Sequence, residues 1–216
     1  MRVKTEERRQ AIIDTAYKVF QEEGFDRASM SEIAKRLGGS KATLYSYFNS
    51  KEELFTAVMK VSPEVGELFG PITDPNLKIT SPKALREQLE RFAVTYLKFH
   101  LSPNILAMRR NLIAQGDRSD VSRLSFEAGP RQNFIKLAEF LERAMEDGLL
   151  VKAIPWVAMQ HLMSLIESEV ILPRLLGIIK NVPAEMARDA ALRGVDAYLR
   201  AYATPASKNG KHDSKN

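Results

Sequence analysis

The sequence predicts an all-α protein in two parts, a small N-terminal helical unit and a larger C-terminal helical domain. Three observations carry that prediction. Apolar residues recur at 3–4 spacing along the chain, and no segment alternates convincingly with period 2. Between Ser29 and Phe55 three short helices follow in close succession, each with its own start or stop signal. Beyond residue 82 the periodic segments are long, and prolines stand at their starts.

The elements follow in order. Ile12, Ala16, Val19 and Phe20 lie at i, i+4, i+7 and i+8, one face of an amphipathic helix that Gly24 ends. Phe25, just beyond, can fold back over the last turn. Ser29 and Glu32 form a capping box, so a helix should begin at about Met30 and bury Ile33, Ala34 and Leu37. Gly38 supplies the left-handed residue that stops it. Ser40 can cap the next helix, Lys41 to Phe48, whose Leu44 and Phe48 point inward. Lys41, Thr43, Tyr45, Ser46 and Tyr47 are then left outward. A second capping box, Ser50 with Glu53, opens a fourth helix through Leu54, Phe55, Val58 and Met59. Two short helices joined by a tight turn make a helix-turn-helix, the device that presents a helix end to the DNA major groove.

On these residues the segment from about Lys4 to Met59 resembles the DNA-binding domain of the TetR/AcrR family of bacterial transcriptional regulators. The matching positions include Ala11, Ile12, Ala16, Phe20, Gly24, Phe25, Ile33, Ala34, Gly38, Ser40, Leu44, Tyr45, Tyr47, Phe48, Lys51, Leu54 and Phe55. The run S-K-A-T-L-Y-S-Y-F-N-S-K-E-E-L is far more specific than a generic helix-turn-helix pattern. Gly39 departs from the family's apolar turn residue and is expected to loosen the turn. The resemblance implies DNA contacts from Lys41, Ala42, Thr43, Tyr45, Ser46 and Tyr47, with Thr43 and Ser46 nearest the base edges. Tyr47, Lys51 and the arm of the first helix, including Lys4, are expected to hold phosphates, and Ser29 and Ser40 are expected among the DNA contacts.

Composition narrows the alternatives. The 216 residues carry 32 Lys and Arg against 27 Asp and Glu, a net charge of +5. Residues 1–60 hold 11 basic against 9 acidic side chains, so a DNA-contacting face has to come from sorting charge rather than from bulk excess. Cysteine is absent, which excludes disulfides, thiolate metal sites and Cys nucleophiles. Three histidines and the lack of any hydrolase, P-loop or dinucleotide fingerprint argue against an enzyme, a metal site or a cofactor. The carboxylate nearest a helical histidine in sequence, Glu167 after His161, falls off its face. No stretch reaches the ~18 apolar residues of a membrane span, and the N-terminus lacks an apolar signal core, so a cytoplasmic protein is expected.

Residues 62–82 contain Pro63, Gly66, Gly70, Pro71, Pro75 and Pro82 and read as a linker after a fraying fourth helix. Helices are then expected at about 83–101, 104–116, 119–147 with a bend near Gly129-Pro130, 155–172 and 184–202, roughly nine in all. Domain boundaries follow: 1–61, 62–82, 83–203, and a polar, disordered tail over 204–216. The segment from Leu101 through Arg131 is similar to the C-terminal domain of AefR-like members of the family. That resemblance implies an effector cavity, with Tyr96, Phe99, His100, Met108, Arg109, Phe126, Phe134, Trp156, Met159, Gln160 and Met163 on the enclosing helices. A buried Arg109 or Arg110 would suit an acidic effector. On the last helix Ala187, Ala190, Ala191, Gly194, Val195, Tyr198 and Tyr202 form a small-residue face suited to close helix packing. The resemblance favours its use in a homodimer, whose two recognition helices read a pseudo-palindrome. The implied function is a homodimeric repressor released from double-stranded operator DNA by a small-molecule effector; an activator or an effector-independent DNA binder is the alternative.

Overall fold

The computed structural model describes residues 5–61, 63–74, 76–116, 120–128 and 130–205. Lys4 and residues 206–216, most of the expected tail, lie outside the described residues. Among those described, twelve helices and no strand are present. They are α1 (Glu6–Glu23), α2 (Met30–Arg36), α3 (Lys41–Tyr47), α4 (Lys51–Lys60), α5 (Pro63–Thr73) and α6 (Pro82–His100). There follow α7 (Pro103–Gln115), α8 (Val121–Ala128), α9 (Pro130–Glu146), α10 (Pro155–Glu167), α11 (Ile171–Leu175) and α12 (Ala184–Tyr202). One isolated bridge joins Leu150 to Ala203 and ties the end of α12 to the loop after α9.

The local signals in the first sixty residues act as the sequence implies. The hydroxyls of Ser29, Ser40 and Ser50 accept from the backbone N–H three residues on, at 3.1, 3.1 and 3.0 Å. Each satisfies an N–H that a helix start leaves without a partner. Glu53 reaches back to the Asn49 backbone N–H at 2.7 Å, whereas Glu32 turns away to Arg36 at 2.9 Å. Gly24 and Gly38 both have positive φ, 81° and 68°, as the helix ends require. Phe25 folds back as expected: Phe20, Phe25 and Phe55 form a mutually packed aromatic trio, all essentially fully buried.

Four expectations need correction, three of them about helix boundaries. The expected linker contains α5, because Val65, Leu68, Phe69 and Ile72 at i, i+3, i+4 and i+7 give it an apolar face. Leu68, Phe69 and Ile72 are buried against the C-terminal core. Its Pro71 is tolerated near the end of the helix, where the Pro71 carbonyl accepts from the buried Gln88 amide at 2.9 Å. The long helix expected over 119–147 is two helices, α8 and α9, with Pro130 opening the second. The helix expected over 155–172 ends at Glu167, and α11 follows as a separate short turn.

Two hydrophobic cores result. One is built by α1 to α4 and takes in Ile105 and Ala107 from α7. The other gathers α5, α6, α9, α10 and α12. Helix α7, although it follows α6 in the C-terminal part of the sequence, therefore packs into the N-terminal core. The small face of α12 is the fourth correction: Ala187, Ala190, Ala191, Gly194, Val195 and Tyr198 are buried inside this chain, and Tyr202 is half-buried. A Cβ placed on Gly194 would stand 2.7 Å from the Leu165 carbonyl oxygen and 2.8 Å from Ile166 Cα. Small residues bring α12 against α10 of its own subunit, so this face is not available to a second copy.

Candidate functional site

Two features stand out, an exposed short helix near the N-terminus and a cavity behind it. Helix α3 is held from below by Leu44, fully buried, and by Phe48 just beyond its end. Its outer face presents Lys41, Ala42, Tyr45 and Ser46 to solvent, with Thr43 and Tyr47 half-buried at its margins. The Lys41 ammonium lies 5.9 Å from the centre of the Tyr45 ring. Ser46 donates to the Thr43 carbonyl at 2.7 Å, and the Thr43 and Ser40 hydroxyls lie 2.9 Å apart. Tyr47 accepts from the Thr5 backbone N–H at 3.1 Å, which sets the N-terminus of α1 beside α3. The turn is held by the Gly39 N–H donating to the Ala34 carbonyl at 3.1 Å. The room left by the missing Gly39 side chain is occupied by the Arg8 guanidinium, whose Nη2 is 2.8 Å from where a Cβ would be.

Lys51 departs from its expected role. Its ammonium donates to the carbonyls of Phe25 and Ala28 at 2.8 and 3.2 Å and lies 4.4 Å from the centre of the Phe25 ring. These contacts close the loop between α1 and α2. The amine is directed into the protein rather than toward a phosphate. Ser29 is exposed with its hydroxyl in the α2 cap, and Ser40 likewise caps α3.

Behind this unit lies a cavity of about 680 Å³, mostly apolar, bounded by α4 to α10. All eleven residues expected around a cavity line it: Tyr96, Phe99, His100, Met108, Arg109, Phe126, Phe134, Trp156, Met159, Gln160 and Met163. Thr56, Met59 and Lys60 reach it from α4, whose Leu54, Phe55 and Val58 sit in the N-terminal core. Sequence reasoning missed Glu167, because its partner lies 58 positions away rather than on its own helix. Arg109 and Glu167 form a two-pronged pair, Nη1 to Oε1 at 3.0 Å and Nη2 to Oε2 at 2.9 Å. The Tyr96 hydroxyl donates to the same Oε1 at 2.5 Å, and the Tyr96 ring stacks on His100 with centroids 4.0 Å apart.

This cluster controls its own charge states. Burial pushes the His100 imidazole down to about 3, and the Arg109 cation adds to the effect against the opposing pull of Glu167. Burial alone would raise the Glu167 carboxyl, but the hydrogen bonds and charge of Arg109, with the Tyr96 hydrogen bond, outweigh it and hold the group below its ordinary value. Burial and then the Glu167 charge raise Tyr96 well above an ordinary phenol. Arg109 Nη1 lies 3.2 Å from His100 Nδ1. Arg has no acceptor, so Nδ1 must accept, and the ring is neutral with its proton on Nε2. Arg110, in contrast, is exposed and donates to the carbonyls of Arg174 and Leu175. No group of three or more His, Asp or Glu among the described residues could hold a metal. No described helix is long and apolar enough to cross a membrane.

Comparisons with known proteins agree with this geometry. Residues 12–58 match the family described as bacterial regulatory proteins, tetR family. Residues 87–204, more than half of the chain, match the AefR-like transcriptional repressor C-terminal domain. The chain is 44% identical over 59 residues to the HTH-type transcriptional activator FasR of Mycolicibacterium smegmatis, a stretch covering 27% of this chain and 27% of FasR. The flavonoid-responsive regulator FrrA is 31% identical, and the match covers 94% of this chain and 100% of FrrA with a TM-score of 0.59. A TetR transcriptional regulator from Agrobacterium tumefaciens is 26% identical with a TM-score of 0.67, over 93% of this chain and 97% of the other. A capped helix-turn-helix on a helical domain, matched along both parts, makes this chain a member of the TetR family of DNA-binding transcriptional regulators, with an AefR-like C-terminal domain.

Proposed function

We propose that this regulator is a homodimeric repressor, released from a pseudo-palindromic operator when a small molecule enters the cavity. One observation carries the reading: α4 and α7 each take part in the N-terminal core and in the cavity wall. Anything that moves these helices at the cavity end is felt by the helix-turn-helix. The energy available is the difference in effector affinity between the two arrangements, typically ~1–3 kcal/mol. That FrrA is described as flavonoid-responsive supports a small, largely apolar effector here. In DNA binding, Lys41, Ala42, Tyr45 and Ser46 face the groove, Thr43 stands at the edge of that face, and Tyr47 with the α1 N-terminus meets the backbone.

With its small face consumed internally, the dimer is assigned to the outer sides of α10 and α12. These expose His161 on one helix, with Ser168 just past its end, and Arg193, Ala197, Arg200 and Ala201 on the other. The experiment is capture and sequencing of the genomic DNA that the protein retains, followed by transcript measurement with the gene deleted. A two-fold symmetric site whose downstream transcript rises on deletion supports the repressor. A fall would make it an activator, as FasR is described. Retention of DNA with no shared sequence would remove the operator reading altogether.

A further inference from the structure

We propose that the cavity selects uncharged ligands, and that Glu167 sets this selection by occupying the Arg109 guanidinium from inside the protein. The inference rests on the effector-cavity reading above and adds the chemical class of the occupant. A half-buried arginine beside an apolar cavity would ordinarily mark a carboxylate site. Here both terminal nitrogens already face Glu167, at 3.0 and 2.9 Å, and Nη1 also faces His100 at 3.2 Å. A ligand carboxylate arriving at this end would meet a carboxylate, and would lose its water without gaining a free cation. Lys60 and Lys136 also border the cavity, but both are exposed, where water and salt screen their attraction.

What the polar end does offer is a neutral donor. His100 carries its proton on Nε2, and that atom makes no hydrogen bond among the described residues. A ketone, ester or phenolic oxygen can accept from it at no cost in charge. The remaining wall supplies Phe99, Phe134, Trp156, Met108, Met159 and Met163. Aromatic faces and thioethers suit a ring system. The occupant defined by this chemistry is an uncharged aromatic molecule bearing at least one hydrogen-bond acceptor.

A matched pair of probes tests the idea: biphenyl-4-carboxylate and its methyl ester, which share a skeleton and differ in charge. Trp156 is the only tryptophan in the chain and borders the cavity, so its fluorescence reports occupancy, with thermal shift as a second readout. At about pH 7.5 the ester should bind the wild-type protein at least about tenfold more tightly than the acid, and the acid should gain affinity as pH falls toward its own pKa. In Glu167→Gln the side chain keeps one acceptor for Arg109 but loses the charge. The acid should then bind about tenfold more tightly than to wild type, with the ester changed less than about threefold. Should the variant not fold, the wild-type comparison decides alone. Acid binding as tight as the ester in wild type overturns the charge selection and leaves the cavity as a ligand site. If neither probe alters the tryptophan signal or the melting temperature at millimolar concentration, the cavity reading falls and this inference with it.

Discussion

His100 and Lys51 show how far a side chain's surroundings override its type. In the unfolded chain the His100 imidazole takes a proton near pH 6.5, but in the folded protein only near pH 3. Between those values the unfolded state binds more protons, so acid subtracts stability. The contribution is complete above about pH 6.5 and is lost as pH falls toward 3, at up to ~1.4 kcal/mol per pH unit. Glu167, also held low, acts in the same direction below its ordinary value near 4.5. His100→Gln can still accept from Arg109 but has no proton to take up. Its urea-unfolding free energy should therefore fall less steeply than wild type between pH 7 and pH 5; parallel curves would place the His100 pKa near its ordinary value. For Lys51→Ala the structure points to stability rather than DNA affinity. Two part-buried carbonyls and the Phe25 ring lose their cation, for an expected cost of ~1–2 kcal/mol. The salt dependence of operator binding should stay as in wild type. A slope flattened by about one unit at unchanged stability would return Lys51 to the phosphate contacts.

At the scale of elements, close approach separates two glycines that look alike in the sequence. Gly194 faces the backbone of α10, where a methyl group would stand 2.7 Å from a carbonyl oxygen and cannot be relieved by a rotamer change. Gly39 closely faces the tip of Arg8, which can swing away, and meets Leu37 Cδ2 at an ordinary 3.9 Å. Gly194→Ala should cost ~1–3 kcal/mol or more by forcing α10 and α12 apart, whereas Gly39→Ala should fall within about 0.5 kcal/mol of wild type. Thermal unfolding of the two variants checks both, and equal effects would mean the helix contact is softer than its geometry. The same contrast explains which elements could be read in advance. Caps, stops and the inward Leu44 and Phe48 are local, set by residues three or four apart, and they appear in the structure where the sequence places them. Helix α5 was hidden because its glycines and prolines signal a linker, and only burial of Leu68, Phe69 and Ile72 against distant helices outweighs them. The small face of α12 reads from the sequence as a dimer surface, but periodicity cannot say whether the partner helix is in the same chain, and here it is α10. The cavity residues came from family resemblance. The Arg109–Glu167 pair, joining α7 to α10, had no local signature at all.

At the scale of the molecule, the two cores are joined through α7. Besides its buried Ile105 and Ala107, α7 carries Asn104, whose amide spans the end of α1. Its Oδ1 accepts from the Phe25 N–H at 3.1 Å, and its Nδ2 donates to the Phe20 carbonyl at 3.0 Å. Five residues on, Arg109 holds the polar end of the cavity through Glu167. The path from the polar end of the cavity to α1 is thus one helix long, and α1 packs directly on α2 and α4. Asn104→Ala removes both hydrogen bonds at the junction and leaves the apolar contacts of Ile105 and Ala107 in place. The variant should still fold and bind the operator recovered from genomic capture. What should change is the coupling: the ratio of operator affinities without and with cavity occupant should move toward one, and linkage requires the occupant's own affinity to lose the same dependence on DNA. Backbone amides of Gly24 and Phe25 should also exchange faster with solvent, since their anchor to α7 is gone. Operator titrations with and without the cavity probe, set beside hydrogen exchange, measure both. Faster exchange with the coupling ratio unchanged would show that α4, not α7, carries the signal.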